Sequence, residues 1–360
     1  MGISFKDVKS VIDYNSSKII NSYGFPLLPR FNKIVGNIEK GQVHIVSGLP
    51  SAGVTSFIDQ NYVMSVLLQW YNTDPHERKN LKIFYYSMKD SELKKLQILL
   101  CNHLKLVYGL RTDVATLNSQ VGRLYDISED TELRSAIEDS STFFDEILDD
   151  GILTIKEKQI KPTTIYNEIV DYMMSIGSIG DDELYTLDDD YKDSDIIVVV
   201  DPVDYFLPDT DGYGVVNGTA LHEKFHRQVR QLKALYNITF VLSVPSSTGY
   251  IRTPKDTEPH YRHLGQYGPL ADRAIIIYNS VAENNPKFYG MDPDFYVTAK
   301  GNTLMRTWHV VRNTDGIESV YDRMFFLPGT SYMTEYDLSK DVSGIDTVLN
   351  ELDKDTYFKK

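Results

Sequence analysis

Gln42-Val43-His44-Ile45-Val46-Ser47-Gly48-Leu49-Pro50-Ser51-Ala52-Gly53-Val54-Thr55-Ser56 is the stretch on which the reading of this chain turns. Its first six residues, entered through Lys40-Gly41, predict a buried strand. A glycine-bearing loop follows, and then a helix expected from about Thr55 to Tyr71. Strand, glycine loop and helix in that order suit a phosphate-binding loop. In such a loop backbone N–H groups curl around phosphate oxygens, a lysine reaches the β and γ phosphates, and a Ser or Thr hydroxyl holds Mg²⁺. Gly48 and Gly53 have the spacing, Ser51 lies between them, and Thr55 and Ser56 supply hydroxyls. Val54 stands where the lysine should be. Alone, this spacing fits an ordinary strand–turn–helix connection equally well.

Outward from the loop, strands and helices alternate. Strands are expected at residues 81–87, 152–155, 196–201, 239–243 and 274–278. Helices are expected at about 91–107, 163–175 and 225–236, and a hairpin at 307–312 and 319–326. Alternation of this kind predicts an α/β fold with a mostly parallel sheet. Ile196-Ile197-Val198-Val199-Val200-Asp201 is a β-branched run ending on a carboxylate, as expected of a strand buried on both faces. Asp201 there fits the second nucleotide motif, an aspartate that serves Mg²⁺.

The bulk composition narrows the function classes. Formal charge is 37 − 51 = −14, too acidic for a surface coated with nucleic acid. A local basic strip remains at 246–273, with Arg252, Lys255, His260, Arg262, His263 and Arg273 interleaved with Tyr250, Tyr261 and Tyr267. Basic and aromatic residues together suit single-stranded nucleic acid, although an ordinary surface loop has the same look. His260-x-x-His263 has no evident third ligand, which argues against zinc. The acidic loop 180–195 lacks the Gly and closing Glu of a calcium loop and reads as a solvated linker. Cys101 is the single cysteine, so no disulfide framework is expected and a reducing compartment fits. No apolar run reaches the ~18 residues of a membrane span, and no secretory signal or myristoylation pattern stands at the N-terminus.

Several segments, in order, resemble the C-terminal motor domain of DnaB-type replicative helicases, a RecA-like P-loop NTPase of superfamily 4. Gly24-Phe25-Pro26-Leu27-Leu28 through Gly36-Asn37-Ile38-Glu39-Lys40-Gly41 resembles that family's lead-in segment. Ser87-Met88-Lys89 resembles its Ser-Leu-Glu, and Ile197–Asp201 its Mg²⁺ strand. The step from Leu235 to Ser243 precedes the position of its sensor glutamine. Gly268–Ile275 resembles its Gly-Ser-Ile-Glu-Gln-Asp-Ala-Asp stretch. Val310-Val311-Arg312-Asn313 with Gly316 resembles its Lys-x-Arg-Asn-Gly, whose arginine acts on the neighbouring subunit's site. The resemblance implies ATP and Mg²⁺ as cofactors, Mg²⁺ being held by Thr55 and Asp201. It implies Lys89, Asp201 and Arg312 at catalytic positions, and single-stranded DNA along Arg252, Lys255, Arg262 and Arg273. It also implies a homo-oligomeric ring or filament, or other replication proteins as partners. Residues 1–22 would be the linker helix, 23–330 the RecA-like domain and 331–360 a tail.

The departures point the other way. Val54 replaces the loop lysine, Lys89 the catalytic glutamate, Val244 the sensor glutamine and Val310 the lysine before the finger. Phosphoryl transfer depends on positive charge at the γ-phosphate and on a positioned water. Lys89 is a candidate substitute for the missing ammonium, with Asp90, Glu92 or Asp204 as base. Two readings result. One is a DnaB-like helicase relative in replication or recombination with an impaired ATP site. The other is a pseudo-ATPase serving as a scaffold or DNA-binding subunit. Either would work in the cytoplasm of a bacterium or of a phage-infected host, the composition having a phage-like flavour.

Overall fold

A computed structural model describes residues 22–118, 130–180, 183–211, 214–246, 259–279 and 304–335. The expected N-terminal helix, Arg252, Lys255 and the segment 336–360 lie outside the described residues.

The sheet grows from β1, Val43–Gly48, the strand before the glycine loop. Parallel to it run β2 (Leu81–Ser87), β3 (Leu153–Glu157), β6 (Asp195–Asp201), β9 (Thr239–Pro245) and β10 (Arg273–Tyr278). The antiparallel strands β11 (Met305–Asn313), β12 (Val320–Leu327) and β13 (Tyr332–Glu335) extend one edge. The order is β13-β12-β11-β10-β1-β9-β6-β2-β3. A mostly parallel sheet with helices around it is the expected α/β architecture, and the hairpin is where the sequence put it. The boundary expected at 330 cuts too early, because Tyr332–Glu335 adds a strand on β12. Its backbone is claimed by a side chain: Gln60 donates to Met333 O at 2.6 Å and accepts from Met333 N at 2.5 Å.

Alternate residues of each strand feed opposite faces. Val46, Ile83, Tyr85, Ile197, Val199, Val241 and Ile275 join a core with the helix that follows the glycine loop. Val43, Ile45, Phe84, Val198, Val200, Phe240 and Ile276 join a second core under α-helices Pro162–Ser175 and Gly218–Tyr236. A 19-residue helix, Thr131–Asp149, was not read from the sequence. Asp130 caps it, and Leu133, Ala136, Phe143 and Ile147 form its buried stripe.

The acidic segment is not all linker. Tyr185–Leu187 (β5) pairs with Gly177–Ile179 (β4), and Asp209–Asp211 (β7) with Gly214–Val216 (β8) further on. Tyr185 pins its hairpin by donating to Met173 O at 2.6 Å and meeting Tyr236 edge-on at 4.7 Å. Aromatic anchors of this kind outweigh the solubility of neighbouring carboxylates.

Among the described residues four histidines are built into the interior uncharged, His44 being held well below its usual range by burial and by Arg273 and Lys233. Burial lowers His103 to about 4, His226 to about 4 and His309 to about 3. Near pH 5 the unfolded chain therefore binds more protons than the folded one, so stability falls as pH drops from about 6.5 towards 4. The melting midpoint should fall by on the order of 5 °C or more over that window. His309→Gln should flatten the profile; an identical slope in that variant would show that His309 does not titrate this way.

Candidate nucleotide-binding cleft

The loop leaves β1 at Gly48 and closes into a turn in which Ala52 N donates to Leu49 O at 3.0 Å. Ser51 has φ 68° and Gly53 φ 98°, left-handed positions that wrap the backbone into a concave nest. Gly48 is required by space, against backbone, and Gly53 by its φ, the nearest atom there being the movable end of a methionine. A Cβ at Gly48 would stand 2.7 Å from Ile277 O, and one at Gly53 2.7 Å from Met333 Cε. The helix then starts at Val54 and runs Val54–Ile58, Asp59–Met64 and Ser65–Tyr71, the middle part wound as π-helix.

Gly48, Ser51, Gly53, Val54, Thr55 and Ser56 line one cleft of about 850 Å³ together with Lys89, Asp204, Tyr205, Val244, Arg306 and Phe326. That volume lies in the range of small-molecule sites, roughly 300–1,000 Å³. Thr55 Oγ1 donates to Asp201 Oδ1 at 3.2 Å, so the two residues expected at Mg²⁺ are brought together. The strand register explains this: Ser87 on β2 and Asp201 on β6 end side by side, at the same end of the sheet as Gly48 on β1. Nest, paired Thr–Asp donors and cleft volume all fit a nucleotide with Mg²⁺. The lysine position does not, since Val54 is half-buried and packs on the core.

Lys89 is exposed at the cleft, its Nζ 5.0 Å from the centre of the Tyr205 ring. Burial of Val244, at 3% exposure, leaves the sensor position apolar. Behind Asp201 lies a charge cluster that the sequence did not reveal. Tyr85 OH is 3.1 Å from Asp201 Oδ2 and 2.7 Å from Asp59 Oδ1. Lys95 Nζ donates to both Asp59 oxygens, at 3.1 and 3.0 Å, and to Tyr85 OH at 3.0 Å. Asp59 and Lys95 are both fully buried. Burial pulls the Lys95 pKa down, but Asp59 and Asp201 outweigh it and hold the ammonium charged.

Arg306 is a second cleft residue that the sequence does not single out. On β11, it reaches the outside of the loop: Nε donates to Ala52 O at 3.0 Å and Nη2 to Ser51 O at 3.3 Å. Its only sequence signal is an arginine inside a strand otherwise dominated by buried residues.

The remaining expected residues lie elsewhere. Arg273 pairs in register with His44, at the end of the sheet opposite Gly48. It is 2% exposed and donates to Asn37 O, with Glu39 at 3.5 Å. Its expected role as a DNA contact is therefore corrected: a guanidinium spent on holding the lead-in segment is closed to DNA. Arg262 is exposed on the 3-10 helical stretch Tyr261–Leu270, whose buried His263, Leu264, Tyr267 and Leu270 make it a packed element rather than an open loop. Arg312 pairs with Ala274 at the far end, donates to Ala271 O at 2.7 Å and stacks on Tyr261 at 5.4 Å. The trans role expected of it concerns a neighbouring subunit. Among the described residues no His, Cys, Asp or Glu group could hold a metal by itself, and no helix is long and apolar enough to cross a membrane.

No family model matches the sequence, and no curated protein matches it either. Solved structures do. The ATPase domain of one DnaB-like helicase superposes with TM-score 0.62 at 12% identity, covering 94% of this chain and 100% of that one. A DnaB-like replicative helicase that interacts with primase gives 0.58 at 11%, covering 94% and 68%. At such identities the likeness shows the fold: a RecA-like P-loop NTPase fold of the kind these helicase domains carry.

Proposed function

We propose that this protein is a DnaB-like helicase relative that binds a Mg²⁺–nucleotide in the loop cleft and hydrolyses it poorly, acting in DNA replication or recombination. The observation that carries the reading is the Thr55–Asp201 pair beside a loop with left-handed Ser51 and Gly53, on a fold shared with helicase ATPase domains. A nucleotide's phosphates would lie against the nest, with Thr55 and Asp201 serving the metal. Lys89 is an exposed cation on the cleft wall, but it brings no carboxylate to activate a water. Asp204 is the acidic side chain left on the cleft wall for that task. Loss of one charge-stabilising group typically costs a factor of about 10²–10³ in turnover, so catalysis here is expected to be slow. Assembly into a ring or filament, and single-stranded DNA along Arg262, belong to the same reading.

A second reading keeps the fold as a scaffold without turnover. What favours it is Val54, which puts an apolar side chain packed on the core at the lysine position.

Steady-state ATP hydrolysis with and without single-stranded DNA separates the two. Slow, DNA-stimulated turnover that Asp201→Ala abolishes supports the helicase-relative reading. Turnover indistinguishable from Asp201→Ala leaves the scaffold. Lys89→Ala should weaken ATP binding by about fivefold if its ammonium serves the phosphates, roughly 1 kcal/mol; unchanged affinity would remove Lys89 from the site.

A further inference from the structure

We infer that Arg306 is the cation of this phosphate loop: a positioning residue that holds the loop backbone for a phosphate oxyanion, in place of the lysine that Val54 displaces. The inference rests on the nucleotide-binding reading above and deepens it by naming what charges the loop.

A nest binds anions because successive N–H groups turn inward, which forces the carbonyls of the same peptides outward. Those outward oxygens need donors. In this chain one guanidinium donates to two consecutive carbonyls, Ser51 O and Ala52 O, while its Nη1 donates to Met305 O at 2.8 Å on its own strand; the Ala52 N–H is held by Leu49 O, which leaves the Gly53 N–H as the one to aim. Peptide units are planar and trans, so the N–H of Gly53 points away from the carbonyl of Ala52, to the side of the loop opposite Arg306. Holding that carbonyl therefore aims that N–H. The fork of an arginine suits two carbonyls in fixed geometry, and its charge is permanent.

The surroundings keep the guanidinium there. Arg306 is 5% exposed, and its Cζ lies 5.1 Å from the centre of the Phe326 ring on β12. Phe326 and Met333 also close on Gly53, where a Cβ would meet Phe326 Cε1 at 3.1 Å. The antiparallel edge strands thus press on the loop and deliver a positive charge to it. A loop lysine reaches forward to the ligand; Arg306 acts through the backbone. Its charge is little screened at that burial, and it also lines the cleft. Ser51 at φ 68° is a strained position for a serine that the contact to its carbonyl helps to hold.

The test uses the full chain and inorganic pyrophosphate with Mg²⁺, titrated calorimetrically beside ATP. Arg306→Gln should weaken pyrophosphate binding at least tenfold, with Arg306→Lys between it and the unaltered protein. Amide exchange at residues 51–55 of the free protein should quicken in both variants. Arg306→Gln binding pyrophosphate as tightly as the unaltered protein would overturn the inference and leave the nucleotide reading intact. If Arg306→Gln does not fold, Arg306→Lys decides: a threefold or greater loss supports the inference, and equal affinity overturns it. An unaltered protein that binds neither pyrophosphate nor ATP overturns the nucleotide reading, and this inference with it.

Discussion

Restoring the two missing charges, by Val54→Lys with Lys89→Glu, is expected to raise ATP turnover by on the order of 10²-fold or more. The ground for expecting so much is that the rest of the cleft is in place. The nest has its left-handed positions at Ser51 and Gly53, Thr55 already meets Asp201 at 3.2 Å, and Lys89 lines the same cleft as the loop. What is absent is an ammonium on the loop itself and a carboxylate at the end of β2. Val54 is half-buried at the first turn of its helix, and a lysine's aliphatic stem can follow the same hydrocarbon path while its head reaches the cleft. Val54→Lys alone should tighten ATP binding by about tenfold, roughly 1.4 kcal/mol, with little turnover. A double variant that folds and binds ATP, yet hydrolyses it no faster than the parent, would show that the cleft lacks hydrolytic geometry for reasons beyond these two positions.

Lys95→Met is expected to cost about 3–5 kcal/mol of stability. Lys95 and Asp59 are both fully buried, 3.0 Å apart, and the same ammonium donates to Tyr85 OH. Removing it leaves the Asp59 carboxylate facing Asp201 across a single tyrosine hydroxyl, with no cation between them. Breaking such a pair is costly because the survivor stays desolvated, whereas removing both partners leaves no orphan. Urea midpoints should therefore show Lys95→Met far below the parent, and Asp59→Asn with Lys95→Met recovering much of the difference. A single variant within about 1 kcal/mol of the parent would contradict an uncompensated charge at Asp59. Asp59 opens the π-wound part of the loop helix, so the double variant also reports whether that cluster steadies Asp201.

Much of the fold was legible because its signals are local. Val43–Ser47, Ile196–Val200 and Phe240–Leu242 are β-branched or apolar runs, and each became a parallel strand. Gly48 and Gly53 announced the loop by spacing, and Thr55 and Asp201 met as expected although 146 residues apart. The failures were of long-range origin. Arg273 looks like one more member of a basic strip, but strand pairing with β1 and β11 buries it. Tyr332–Glu335 is too short and polar to stand out, and becomes a strand because Gln60 and β12 take its backbone. Arg306 and Lys95 were invisible for the same reason. A charge in a strand or helix reads as a surface group until the chain returns to bury it against two carbonyls or a carboxylate.

The account stands most directly on whether a loop without its lysine still makes a nucleotide site. Calorimetric titration of the full chain with ATP, with and without Mg²⁺, measures this. Saturable, Mg²⁺-dependent binding that weakens at least tenfold in Thr55→Val, with the melting midpoint of the free protein nearly unchanged, is the expected result. Absence of binding at several millimolar ATP, or binding indifferent to both Mg²⁺ and Thr55, would contradict it.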